Sequence, residues 1–265
     1  MTAPATTASD NPPLRREIEH GIATLTLNRP ERFNTLTAET IQALLQGFAE
    51  LADDPSVRVV VLASTGRAFC TGHDLKEMRT NRNREFLDKL LGDCSRMMQA
   101  VIALPQPVIA KVQGIATAAG CQLVASCDLA LAARSARFAT SGINYGLFCA
   151  TPAVALSRTV ARKHALEMLF TGDFVDADTA AGIGLINHAV DDAKLDTQVS
   201  VLATKLARKS RYAMKLGKAS FYAQAYQPLD DAYRCAAADL VQNLLADDGL
   251  EGLNAFFDKR EPRFS

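Results

Sequence analysis

The sequence predicts an α/β fold followed by an all-helical C-terminal portion. Three observations predict it. Short β-branched apolar runs alternate with longer stretches whose apolar residues recur at spacings of three and four; the strand-type runs stop near residue 195; and 265 residues, 48% of them apolar, suffice for one large domain or one domain with a helical appendage. Strands alternating with helices require crossover connections, and therefore mostly parallel sheets.

The elements follow in order. Residues 1–13 are Ala, Thr, Ser, Asp, Asn and Pro with no sustained apolar run, and are expected to form a disordered tail. After the turn signal His20-Gly21, Ile22–Leu27 alternates Thr with Leu, Ala and Ile and predicts a strand. Thr37 is placed to cap a helix carrying Ile41, Leu44, Leu45, Phe48 and Leu51. Residues 57–62 and Val108–Val112 read as buried strands, and 84–104 as a helix with Phe86, Leu87, Leu90, Leu91, Met97, Met98, Val101 and Ile102 on its apolar stripe. Residues 199–209, 212–224, 229–246 and 251–257 read as helices. The expected organisation is a tail at 1–13, a β/α core at 14–195 and a helical region at 196–265.

Composition removes several classes of function. A formal net charge of zero argues against nucleic acid or an anionic membrane as the main partner, so an anionic ligand must be held by a few placed Lys or Arg residues. No window approaches a spanning helix. The first thirteen residues show neither a secretory signal nor a transit-peptide pattern, and a cytoplasmic location is expected. The six cysteines form no CxxC pair and no disulfide framework. His20, His164 and His188 lack metal-ligand spacing, and no metal is expected. Nucleophile-elbow, Walker, dinucleotide and HExxH motifs are missing.

Two loops carry the chemistry. Arg67-Ala68-Phe69-Cys70-Thr71-Gly72-His73-Asp74-Leu75 follows a buried-strand run and ends in a small-residue turn before a helical stretch. Residues 114–122 repeat the arrangement, with Thr117-Ala118-Ala119-Gly120 opening a helix. Each such transition leaves backbone N–H groups unpaired. Two loops of this kind can converge on one carbonyl oxygen and stabilise negative charge there. The cations between Lys205 and Lys218 read as a solvated helix face, with a role in gathering phosphates as the other reading.

These loops resemble the active-site segments of the enoyl-CoA hydratase/isomerase (crotonase) superfamily. The resemblance runs from Asn28-Arg29-Pro30 and Asn34-Thr35-Leu36 through both loops to Phe138-Ala139-Thr140, Gly146, the segments 167–172 and 180–186, and finally 251–256 with Lys259-Arg260. It implies a spiral core of ββα units, C-terminal helices that build a homotrimer or hexamer, and an acyl-CoA substrate. Beyond coenzyme A as part of that substrate, no cofactor is implied. By position, the N–H groups of His73 and Ala119 correspond to the oxyanion hole. Arg32, Phe33 and Lys76 correspond to the coenzyme A contacts, and Phe256 with Lys259 to the contact from a neighbouring subunit.

The two positions that carry catalytic glutamates in hydratases are Gln122 and Gly142 in this sequence. A carboxamide has no titratable proton near neutral pH, and glycine has no side chain, so hydratase activity is expected to be weak or altered. The resemblance is nearest to the enoyl-CoA hydratase domain-containing subgroup. Gly72-His73-Asp74 also resembles the acyl-CoA decarboxylases of the superfamily. Decarboxylation, thioester hydrolysis and non-catalytic acyl-CoA binding therefore stand beside hydration. Asn144, Tyr145, Cys149 and Asp128 are further polar groups near the expected acyl end; Cys149 has no assignable histidine partner, and Asp128 is expected to end a helix and start a strand.

Overall fold

The computed structural model describes residues 12–265, so most of the expected tail lies outside the described residues. Strand β1 (Leu14–Glu19) pairs antiparallel with β2 (Ile22–Leu27) through a turn whose His20 and Gly21 both have positive φ, 50° and 78°. That combination matches the twist of a two-residue hairpin. Helix α1 (Ala38–Asp53) starts as its sequence requires: the Thr37 side chain accepts a hydrogen bond from the Thr40 amide, and Ile41, Leu44, Phe48 and Leu51 turn inward.

The core is then built by repetition of one unit. Strand β3 (Val59–Ser64) is followed by the short β4 (Ala68–Cys70) and helices α2 (Leu75–Thr80) and α3 (Arg84–Ala103). Next come β5 (Val108–Val112), β6 (Ile115–Thr117) and α4 (Ala119–Ser126), and then β7 (Leu129–Ala133), β8 (Arg137–Ala139), a 3-10 turn at Ser141–Tyr145 and α5 (Ala150–Thr159). The first strand of each unit joins one sheet in the parallel order β3-β5-β7, and the second joins another in the parallel order β4-β6-β8. Each unit advances one place in both sheets, which generates the ββα spiral that the resemblance implies.

Helix α6 (Arg162–Thr171), strand β9 (Val175–Asp176), helix α7 (Ala177–Gly182) and strand β10 (His188–Val190) complete the sheets at their edges. The six-stranded sheet runs β1-β2-β3-β5-β7-β10, and the four-stranded sheet β4-β6-β8-β9. Phe48, Phe69 and Phe138 are almost wholly buried in the main core. Burial of an aromatic side chain of this size contributes roughly 1.5–3 kcal/mol. A second, smaller core forms where α8 (Leu195–Ala207) packs Leu195, Val199 and Ala203 against Val59, Val61, Ile109 and Leu131.

The helices α9 (Arg211–Gln224), α10 (Leu229–Leu245) and α11 (Asp247–Phe257) form the C-terminal layer. The layer is tied to the core by Lys218. Its Nζ lies 2.7 Å from Asp128 Oδ2 and donates to the carbonyls of Val101 and Gln106, both at 3.0 Å. Asp128 also accepts from the Tyr222 hydroxyl at 2.9 Å and the Val108 amide at 2.7 Å. This corrects the reading of residues 205–218 as one solvated face, because α9 turns Lys218 inward to neutralise a partly buried carboxylate. Asp128 does lie between α4 and β7 as expected. Among the described residues, no helix is long and apolar enough to cross a membrane.

Candidate active site

The two loops leave β4 and β6 side by side and stay in contact. Thr117 Oγ1 donates to the Thr71 carbonyl at 3.2 Å. A Cβ on Gly72 would lie 3.1 Å from the Ala119 nitrogen, and one on Gly120 only 2.0 Å from the Cys70 oxygen. Glycine at 72 and 120 is thus what lets the two backbones touch.

Each loop leaves one N–H without an acceptor. His73 forms a parallel bridge with Leu36 in which the bonds are made by its neighbours: Leu36 N–H donates to Gly72 O at 2.8 Å, and Asp74 N–H to Leu36 O at 3.4 Å. The N–H of His73 therefore points to the opposite side of that strand. Ala119 is the first residue of α4, where an N–H has no intrahelical acceptor. Among the described residues neither group has an acceptor. The turn that aims Ala119 is strained, with Ala118 at φ 49°, ψ −121°, a conformation rarely adopted by a residue with a Cβ. Ala118 is held there by its own N–H, which donates to Ala139 O at 3.0 Å.

Gln122 follows Ala119 by one helical turn and is buried, 4% exposed, with its Oε1 lacking a partner. Helical side chains lean toward the N-terminus, which lays this carboxamide over the turn holding the free N–H groups. His73 is half-buried, and its buried Nε2 is likewise unpartnered. Burial pushes the imidazole down to about 4, so the ring is neutral near pH 7.

Gly142 sits in the 3-10 turn after β8. Its φ is not positive, so the need for glycine there is steric: a Cβ would meet Leu147 O at 2.5 Å and Cys149 Sγ at 2.8 Å. Burial raises the Cys149 thiol above its ordinary value, leaving it protonated and a poor nucleophile. Among the described residues, all six cysteines are free and no cluster could hold a metal.

Three of the expected coenzyme A contacts gather at one rim of this site. Arg32 ends the 3-10 turn Pro30–Arg32, Phe33 follows it at φ 53°, and Phe33 O accepts from the Thr71 N–H at 3.3 Å. Asp74 caps α2 through the amides of Lys76 and Glu77 and lies 4.0 Å from Arg32, which draws Arg32 and Lys76 to the same corner. Sequence reasoning missed Arg67, whose guanidinium lies 4.4 Å over the Phe33 ring. Its position within the quoted loop, beside an aromatic-cation cluster, was the available signal. The other two contacts, Phe256 and Lys259, are not brought to this rim; they lie at the end of α11 in the C-terminal layer, with Phe256 77% exposed.

Comparison with known proteins fits this geometry. The chain matches the enoyl-CoA hydratase/isomerase family model over residues 17–265. It is 44% identical over 244 residues to enoyl-CoA hydratase domain-containing protein 3, mitochondrial, of Xenopus laevis, covering 92% of this chain and 83% of that one. The crystal structure of an enoyl-CoA hydratase from Mycobacterium smegmatis superposes with a TM-score of 0.94 at 52% identity, covering 96% of this chain and 99% of the other. The structure of human enoyl-CoA hydratase domain-containing protein 3 gives 0.93 at 42%, covering 95% and 100%. The expectation of a cytoplasmic location is corrected by these relatives, since the five vertebrate members are named as mitochondrial proteins. That expectation rested on the first thirteen residues, and where a chain begins does not decide its compartment.

Proposed function

Because the chain belongs to the enoyl-CoA hydratase/isomerase family, we propose that it binds an acyl-CoA thioester through a backbone oxyanion hole made by the N–H groups of His73 and Ala119. The observation that supports this most is the presence of one acceptor-free N–H in each of two loops whose backbones touch at Gly72 and Gly120. Donors fixed in this way need no reorganisation when negative charge develops on the thioester oxygen. Arg32, Phe33 and Lys76, joined by Arg67, are proposed to hold the pantetheine and phosphate end. Coenzyme A enters as part of the substrate, without a further cofactor.

Hydration needs one group to activate water and another to deliver a proton, and each such group contributes about 10²–10⁴ in rate. Gln122 can do neither, Gly142 has no side chain, and His73 is neutral and loses its proton-bound form well below pH 7. The activity proposed is therefore acyl-CoA binding with hydration far below that of a two-glutamate site. The same neutral surroundings favour a second reading, loss of CO₂ from a malonyl-type thioester, which requires enolate stabilisation and no strong base.

Association into a trimer or hexamer belongs to this proposal, as does the division into a core at 14–195 and an oligomerising region at 196–265. Leu229, Tyr233, Leu245, Phe256 and Phe257 lie exposed on the C-terminal layer, and an apolar surface of this extent is characteristic of an interface.

The test is calorimetric titration with crotonyl-CoA alongside a turnover assay, on the wild type and on Gln122→Glu. Binding with little turnover is expected, and Gln122→Glu alone should raise hydration. Gly142→Glu is unsuitable as a partner substitution, since its Cβ would strike the Leu147 carbonyl. No binding refutes the acyl-CoA reading, and ordinary hydration by the wild type refutes the account of the missing groups.

A further inference from the structure

A cavity of about 910 Å³ lies where the start of β3, the end of α8 and the C-terminal segment meet. Five cations line it: Arg58, Lys205, Arg208, Lys209 and Arg263. The one acidic residue in its wall is Glu261. In a chain of zero net charge this is a strong local excess, and none of the five has an Asp or Glu carboxylate within salt-bridge distance among the described residues, while Arg58 lies 3.2 Å from a main-chain oxygen of Ser265, the last residue. Two acids stand close by, Asp248 facing the charge of Arg58 and Glu251 facing that of Arg263, whose amide donates to Glu251 at 2.7 Å, and each is also bonded elsewhere. Asp248 accepts from Ser210 at 2.5 Å and from the Ser265 amide at 3.0 Å, while Glu251 receives two bonds from Arg260, at 2.6 and 2.9 Å.

Helix polarity explains one wall. Lys205, Arg208 and Lys209 flank the last turn of α8, where cations complement the helix dipole. Arg58 and Arg263 come from separate segments and have no such reason to be there. Arg58 is also held in place: its guanidinium donates to the Lys209 carbonyl at 3.1 Å and the Ser265 carbonyl at 3.2 Å, and its buried Nε has no partner. Val201, Pro262 and Phe264 supply an apolar side to the same cavity.

We propose that this cavity is a second ligand site, separate from the acyl-CoA rim, that takes a phosphoanhydride chain, carried by a nucleotide or by inorganic polyphosphate. Its separation follows from topology. Arg58 precedes β3, whereas Arg67 and the oxyanion loop follow it, and six extended residues span about 20 Å. A chain of phosphates presents several closely spaced negative charges, which is what five convergent cations with few competing carboxylates select. A volume of this size also admits a base and ribose.

The test is calorimetry on the full chain with tripolyphosphate, ATP and coenzyme A, at low and high salt. One equivalent of tripolyphosphate or ATP per chain is expected, weakening as salt rises. Lys209→Glu and Arg263→Glu, both exposed and safer for folding than Arg58→Ala, should each weaken it by at least about tenfold. Arg32→Glu with Lys76→Glu should leave it unchanged while weakening coenzyme A. Equal affinity for tripolyphosphate and ATP assigns recognition to the phosphates; a preference for ATP that Phe264→Ala removes assigns the base to the apolar side. Absence of binding overturns the proposal, as does binding that follows Arg32 and Lys76 in place of Lys209 and Arg263. A change in oligomeric mass in the Lys209→Glu protein without ligand binding overturns it too, in favour of a subunit contact.

Discussion

Gly120→Ala tests the construction of the proposed oxyanion hole more directly than any side-chain removal. The added Cβ would stand 2.0 Å from the Cys70 oxygen, about 1.4 Å short of the 3.4 Å at which ordinary contact begins, and 2.6 Å from the Cys70 carbonyl carbon. Both obstacles are backbone, so relief requires the loop from Cys70 to His73 to move away from α4. Overpacking of this kind costs about 1–3 kcal/mol, occasionally more. For a domain of this size that lowers the melting temperature by about 2–4 °C per kcal/mol. A displacement near 1 Å also separates the two N–H donors, and misplacement on that scale costs on the order of 10²-fold in rate. Gly92→Ala is the control, because Gly92 in α3 has open space at its Cβ, and the same methyl there should stabilise by about 0.5–1 kcal/mol. Scanning calorimetry and acyl-CoA titration on the two variants give the readout. A Gly120→Ala protein that melts and binds like the wild type would refute the claim that backbone contact sets the site.

Ala118→Gly should stabilise, because strain of order 1–3 kcal/mol is relieved while glycine's extra chain entropy costs about 0.5–1 kcal/mol; urea unfolding with no gain would count against strain at that turn. His73, with its folded value depressed to about 4, is neutral in the native state, and the unfolded chain binds the proton first. Its contribution is present above about pH 6.5 and is lost as pH falls toward 4, by at most about 2 kcal/mol at pH 5, and a stability profile of His73→Gln should lack that loss. Lys218→Met leaves the partly buried Asp128 without its cation and should cost about 1–3 kcal/mol, part of which Asp128→Asn in the same chain should restore, as judged by denaturant midpoints.

Much of the fold is legible from local pattern. Ile22–Leu27 and Val108–Val112 are strands with the bounds their alternation and branching suggest, and Thr37 caps α1 through its own hydroxyl. What was not legible depends on distant partners. Strand β1, with Arg15-Arg16-Glu17 exposed, has no apolar alternation to announce it and is held by pairing with β2. Strands β4 and β6 are three residues each and read as parts of loops. The Asp128–Lys218 pair joins residues ninety positions apart. Gly142 and Gly120 look alike as letters; only the carbonyls of Leu147 and Cys70 show that each fills a space no Cβ could share. The N–H pair was placed by resemblance, but the positive φ that aims it falls on an alanine, where composition gives no signal.

The repetition of the ββα unit gives the site a peculiar heredity. One N–H comes from the turn after β4, the next from the turn after β6, and Gly142 occupies the turn after β8. The first two contributions are made by the course of the main chain, so a replacement at His73 or Ala119 that the packing admits leaves the donor in place, whereas proline deletes it. The contributions at Gln122 and Gly142 are written in side chains and can change with a single replacement. If the two N–H groups hold a thioester carbonyl as proposed, that grip is carried by the fold itself, and the proton chemistry beside it is carried by replaceable residues.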